Sequence, residues 1–303
     1  MTTVTGIRAI DTHVHIWDVG APWMRWLEDR PATWDVVRRN FTWLQLCAEL
    51  DHTGIAEVIL VQACTDPRET KLLLELAHRE PRIRGVIGWA SLRSREATDA
   101  DLTSLEGIGI EKLVGVRNHH RWAPDADILA TPAALASVRR VAELGLSLDV
   151  LLHGQADLPM ILKLCEDVPE GRYIIDHLGR PTLGSADAFA PWSASMAELS
   201  RFPNVYIKYS GWATLMEYPK AADVKRHIDF ILETFGSERI MFASNWPVAL
   251  VAGSYQETYE ATLEAIQGLS RPDLENLMRG TAKRCYFDPI EALSRKANHS
   301  PRR

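Results

Sequence analysis

Two histidines stand two residues apart in the stretch "AIDTHVHIW", His13 and His15. Side chains alternate between the faces of a strand, so residues i and i+2 point the same way. Read as a strand, 7–16 puts both imidazoles on one face with Asp11, and Thr12, Val14 and Ile16 on the other. Adjacent imidazoles are costly to bury unless something pairs with them, and a bound cation is a common solution. An isolated pair of this kind is more often two surface or hydrogen-bonded histidines. Here the rest of the chain changes the weighting, because other polar residues also end short apolar runs. They are Gln62, Trp89, Arg117 with Asn118, His119 and His120, His153, Asp176 with His177, Lys208 with Tyr209, and Ser244 with Asn245 and Trp246.

The runs themselves recur along the whole chain: 7–16, 56–63, 83–92, 111–118, 145–153, 172–179, 204–211 and 239–245. Helix-like segments separate them. "PRETKLLLELAHRE" (67–80) carries Leu72, Leu73, Leu76 and Ala77 on one stripe; "PAALASVRRVAELG" (132–145) carries Leu135, Val138 and Leu144, with Gly145 as a stop. Strand then helix, eight times over, is the pattern of a (β/α)8 barrel. A two-domain doubly wound fold is the alternative, but no Gly-rich phosphate loop follows any of the strands. In such a barrel the strands' carboxyl ends carry the chemistry, and the polar residues collect there.

The chain has 303 residues, 46% hydrophobic and 24% charged, with net charge −6. Those values suit a soluble globular protein and give no sign of a nucleic-acid partner. The cysteines Cys47, Cys64, Cys165 and Cys285 are scattered without a CxxC pair, which reads as reduced thiols in a cytoplasmic protein. The start "MTTVTGIRAID" lacks the regions of a signal peptide, and no apolar run reaches the roughly 20 residues of a membrane helix. The expected organisation is one barrel domain over 1–291 and a loose basic tail over 292–303. Five of the ten tryptophans, Trp17, Trp23, Trp26, Trp34 and Trp43, fall in 17–43. That segment leaves strand 1 at the catalytic end. It is expected to lie over the pocket, where Trp23 could stack on a substrate ring; a satellite hydrophobic cluster on the rim is the alternative.

In order and spacing, "IDTHVHIWD", "VQACTDPRETKLLLELA", "GVIGWASL", "GVR", "IIDHLGRP", "VYIKYSGW", "FASNWPV" and "AKRCYFDP" resemble the amidohydrolase superfamily. The branch is the amidohydrolase-2 group of sugar-acid and dicarboxylate lactonases, and nearly the whole chain is covered. The resemblance implies a distorted (β/α)8 barrel, strand-1 and strand-6 histidines at the reaction centre, and hydrolysis at a carbonyl. Some members hold one zinc ion and others work without metal. The chain departs from the pattern at strand 8, where Asn245 stands in place of the usual water-activating Asp. Asn cannot take up a proton at neutral pH, although it can orient a water.

The resulting expectation is ring opening of a small sugar-acid lactone or a related carboxylate substrate. His13, His15 and His177 would bind a metal or the lactone carbonyl. The cofactor would be one divalent cation, zinc before others, held weakly or not at all. His177 or His153 would take the proton from a water placed by Asn245. Arg117 and Lys208 would hold charge on the substrate, unless they pair instead with Asp149 or Asp176. Gln62, Trp89, His119 and Trp23 are the other candidate substrate contacts. Asp11 and Asp176 are read as supports for the histidines. Lactone isomerisation, or a binding barrel made inactive by Asn245, are the alternatives. Neither nucleic acid nor membrane is expected as a partner, and a homo-oligomer is compatible with the chain.

Overall fold

The structure is a computed structural model and describes residues 6–118, 129, 131–152, 154–183, 186–211 and 221–299. Eight parallel strands are hydrogen-bonded in chain order: β1 (Ile10–Val14), β2 (Glu57–Val61), β3 (Ile83–Gly88), β4 (Leu113–Asn118), β5 (Ser147–Val150), β6 (Tyr173–Ile175), β7 (Val205–Tyr209) and β8 (Ile240–Phe242). Parallel neighbours require crossover connections, and helices supply them. They include α1 (Trp43–Thr53), α2 (Pro67–Arg79), α3 (Arg95–Thr103), α4 (Pro132–Glu143), α5 (Leu158–Asp167), α6 (Ala186–Ser200), α7 (Ala221–Phe235) and α8 (Tyr255–Ala265). α9 (Arg271–Glu275) and α10 (Asp288–His299) follow.

Local sequence explains the element boundaries. Thr42 with Gln45, and Ser254 with Glu257, form capping boxes at the starts of α1 and α8. Asp66 caps α2 and Pro67 follows at its first position. Gly145, at φ 72, ends α4 as expected. The buried stripe of α2 differs from the expected one. Thr70, Leu73, Leu74 and Ala77 face the barrel, at the i, i+3, i+4, i+7 spacing of one helical face, whereas Leu72 is 53% exposed.

The sheet closes through the chain just beyond β8. Asn245 N–H donates to the His13 carbonyl at 2.9 Å, and His15 N–H donates to the Trp246 carbonyl at 2.7 Å. The histidine motif is therefore itself part of the seam. Inside the barrel, Ile10, Ile59, Val61, Ile87, Val114, Ile174 and Met241 pack against Ala282, Cys285, Tyr286 and Phe287. The segment 282–287 thus plugs the amino-terminal end, where Arg172 Nε also donates to the Cys285 carbonyl at 2.9 Å. The stretch from 292, expected as a loose tail, continues as α10 to His299.

The expected face of Asp11 is overturned. The β1 register shifts between Asp11 and Val14, as at a β-bulge, and a one-residue slip moves side chains to the other face. Ile10 and His13 both point into the barrel. The Asp11 carboxylate instead accepts from Tyr255 Oη on α8 at 2.8 Å, and from Ser244 N–H at 3.0 Å.

Beyond β1, Trp17 pairs with Phe41 across a short antiparallel bridge. Trp17, Trp26 and Trp34 follow one another edge to face at 5.7 and 6.1 Å, and Phe41 lies 5.2 Å from Trp246. These aromatic contacts tie the segment back to the end of β8.

Candidate functional site

The strands project a column of charge up the barrel axis. At the bottom, Tyr286 Oη donates to Asp149 of β5 at 3.0 Å. Lys208 of β7 pairs with Asp149 and, at 3.3 Å, with Asp176 at the end of β6. Arg117 of β4 then meets Asp176 at 3.2 Å. All four ionisable groups are buried, and two carboxylates balance two cations. A buried pair is costly to form and more costly to break, so each member holds the others in place. Burial pushes the Asp149 carboxyl up to about 6 despite the pull of Lys208. For Asp176 burial acts the same way, but Lys208, His13 and Arg117 together outweigh it and hold the carboxyl well below its usual range.

The histidines sit on top of this column. His13 Nδ1 lies 3.3 Å from both Asp176 Oδ1 and Lys208 Nζ, and its Nε2 lies 3.3 Å from Arg117. His15 Nε2 is 3.1 Å from His13 Nε2, and the His177 ring centroid is 4.7 Å from that of His13. Burial lowers all three: His15 and His177 to about 3, with Arg117 repelling both, and His13 well below its ordinary value. At neutral pH the three rings are uncharged.

The tautomers follow from the contacts. His15 Nδ1 lies 2.7 Å from the Val61 carbonyl, which only accepts, so Nδ1 carries the proton and Nε2 presents a lone pair. If His13 carries its proton on Nε2, it donates to that lone pair and accepts from Lys208. If it carries the proton on Nδ1, it donates to Asp176, and two Nε2 lone pairs converge. The second arrangement is the one a cation would select.

His177 is aimed by an unusual turn. His177, Leu178 and Arg180 have φ near 55°, and Gly179 lies between them at 66°. Left-handed conformations cost non-glycine residues on the order of 1–2 kcal/mol each, and such strain gathers at functional sites. Trp192 Nε1 donates to the Leu178 carbonyl at 2.8 Å and secures the turn. His177 Nδ1 meets Ser210 Oγ at 2.8 Å. Behind it is Gly211 at φ 73, where a Cβ would lie 2.6 Å from the His177 Cβ and Cγ. Only glycine accommodates both that backbone and that ring.

A family model described as amidohydrolase matches residues 10–287. This chain belongs to the amidohydrolase family. An L-fucono-1,5-lactonase of Burkholderia multivorans is 33% identical over 305 residues, covering 96% of this chain and 99% of that one. An L-rhamnono-gamma-lactonase of Scheffersomyces stipitis is 33% identical over 121 residues, 35% of this chain and 36% of that one. The crystal structure of an amidohydrolase from Burkholderia multivorans with bound zinc is similar with TM-score 0.83 and 32% identity, covering 92% of this chain and 98% of that one.

Within this family member, ligand atoms of His13, Asp176 and His177 all lie within 4.8 Å of one another. Neutral imidazoles and a carboxylate are suitable donors for a first-row cation, so the residues fit a metal. The sequence reading had three imidazoles and no carboxylate; the geometry adds Asp176, placed there as a support. Its charge is already shared with Arg117 and Lys208, which weakens it as a ligand.

Other expected residues fall differently. Gln62 is wholly buried and its Nε2 donates to the Arg117 carbonyl at 2.8 Å, while the Arg117 guanidinium donates to the Gln62 carbonyl. Trp89 is half-buried at the end of β3, its N–H donating to Thr70 Oγ1 at 2.9 Å. Trp23 lies under the Arg68 guanidinium at 4.6 Å. Asn245 is buried at the seam with φ 62, a conformation Asn tolerates better than most residues. His153 and His119 lie outside the described residues. The sequence reading missed Ser210, Gly211 and Tyr286 as site neighbours. The quoted motifs "VYIKYSGW" and "AKRCYFDP" contained them, but nothing in residue type or spacing marked their partners.

Proposed function

We propose that this chain hydrolyses a small sugar-acid lactone. The observation that carries the reading is three uncharged imidazoles grouped with Arg117 at the carboxyl end of an amidohydrolase barrel. Near full-length similarity to an L-fucono-1,5-lactonase supports it. In this reading, with no metal bound, His177, backed by Ser210, takes the proton of a water oriented by Asn245. A neutral imidazole has the lone pair that step needs. Arg117, fixed by Gln62 and Asp176, faces the oxyanion that develops as the ring carbonyl becomes tetrahedral. Alternatively His13, Asp176 and His177 would hold a zinc ion, with His15 beside them; when bound it would polarise the carbonyl and occupy the His177 lone pair, so that His177 would then not be the base. Trp23 and Trp89 would border the pocket, with the segment 17–43 above it. The partner is then a small molecule. Among the described residues no helix is long and apolar enough to cross a membrane.

A panel of aldonolactones with a pH indicator, L-fucono-1,5-lactone first, tests the reading. Acid release is the expected result. A change of ring size without acid would indicate isomerisation. Melting shifts without turnover would favour the binding barrel, which the neutral Asn245 keeps in view.

A further inference from the structure

Glu69 is a buried carboxylate outside the charge column. It lies in the first turn of α2 and is 5% exposed. Its two oxygens accept from consecutive amides, Ala63 N–H at 2.8 Å and Cys64 N–H at 2.7 Å. α2 does not need it as a cap, since Asp66 already accepts from the Arg68 N–H at 2.9 Å. The amides it holds come immediately after Gln62, the residue locked to Arg117 from both sides. On the other flank, Cys64 Sγ lies 3.3 Å from Met24 Sδ in the Trp-rich segment. One carboxylate therefore anchors the short loop that joins the Arg117 support to the Trp-rich segment.

We propose that Glu69 is a positioning residue: by clamping residues 63 and 64 it sets the Gln62 carbonyl, and through it the Arg117 guanidinium against His13. The catalytic consequence rests on the lactonase reading; the clamp itself does not. Burial pushes the Glu69 carboxyl up to about 7, opposed by the two amides and by Arg117 on β4, and reinforced by Asp66 at the start of α2. The Cys64 thiol, facing it from the loop, is itself held protonated by burial. Protonation turns one acceptor oxygen into an O–H, so one of the two amides loses its partner as the pH falls through neutrality.

The experiment compares wild type with Glu69→Gln and Glu69→Asp. Amide exchange at Ala63 and Cys64 is followed at one pH, and kcat and KM for L-fucono-1,5-lactone between about pH 8 and pH 6. Glu69→Gln keeps one acceptor and resembles the protonated form. It should exchange these amides about tenfold faster or more and lower kcat about tenfold with little change in KM, since misplacement of a positioned group acts on the reacting geometry. Wild type should decline below neutrality, and the Glu69→Gln profile should lack that decline. Glu69→Asp keeps the charge and should retain that decline. Unchanged exchange in Glu69→Gln overturns the clamp, whether or not wild type opens any lactone. Faster exchange with kcat and pH profile unchanged overturns the positioning role. A wild type that opens no aldonolactone overturns the lactonase reading and the catalytic half of the proposal, while exchange still decides the clamp.

Discussion

Gln62 and Arg117 hold each other reciprocally across β3. The Gln62 amide donates to the Arg117 carbonyl at 2.8 Å, and the Arg117 guanidinium donates to the Gln62 carbonyl. The pair joins the ends of β2 and β4, and the guanidinium also meets Asp176 and His13. An arginine held this way is preorganised for one position, which is what stabilising a developing charge requires.

Gln62→Leu should therefore act through Arg117. The Arg117 carbonyl would lose a buried donor at a cost of about 1–3 kcal/mol, read as a lowered unfolding midpoint in urea. In the lactonase assay kcat should fall while KM stays nearly constant. A rise in KM alone would place the Gln62 amide directly on the substrate.

Asn245→Asp should add a carboxylate at the seam beside His13, in a backbone conformation that Asp also tolerates. It supplies a group ionised at neutral pH and a charged oxygen for a cation. Zinc content should rise, and lactonase turnover should rise about tenfold or more, within the roughly 10²–10⁴-fold range of general-base effects. Lower turnover with an intact fold would show that the native chain relies on another base.

Gly211→Ala should displace His177. The added methyl would lie 2.6 Å from the His177 Cβ and Cγ, on a backbone at φ 73. Turnover should drop by about 10²-fold, the scale of a 1 Å misplacement. Ser210→Ala, which removes one hydrogen bond to His177 without a clash, should cost less. Equal losses would argue that the ring's position does not limit the reaction.

Stability should depend on pH through the buried histidines. His15 and His177 are held at about 3 in the folded chain, against about 6.5 when unfolded. The unfolded state then binds more protons between those values. The stability these groups contribute is full above about pH 6.5 and is lost as the pH falls towards 3, at up to about 1.4 kcal/mol per pH unit for each ring. Urea unfolding at a series of pH values measures this. The raised Glu69 and Asp149 carboxyls slope the other way over this range, so NMR of the rings decides: His15 and His177 titrating between about pH 7 and 5 would contradict their burial.

Lys208→Met should leave Asp149 and Asp176 without their shared cation. Removing one partner of a buried pair costs about 3–5 kcal/mol. Because the freed Asp176 becomes a stronger ligand, zinc should recover part of the loss and bind more tightly than to wild type. Thermal melts with and without zinc would check both effects; equal zinc affinity in the two chains would separate Asp176 from the metal set.

By itself, the chain determined the barrel. Short apolar runs alternating with amphipathic helices leave few other arrangements, and polar residues at the run ends pointed to the face that carries the site. His13, His15, His177, Arg117 and Lys208 were legible for that reason. Tertiary structure decided what they touch. A bulge in β1 turned Asp11 outward while keeping His13 inward, and a one-residue irregularity leaves no trace in a periodic pattern. Barrel closure brought Asn245 alongside His13, 232 residues apart in numbering, and folded Tyr286 under Asp149. The low dielectric at the barrel axis then made pairing obligatory, drawing Asp176 among the histidines and committing Gln62 to Arg117. Such pairings depend on distance in space, which residue type and spacing along the chain do not encode.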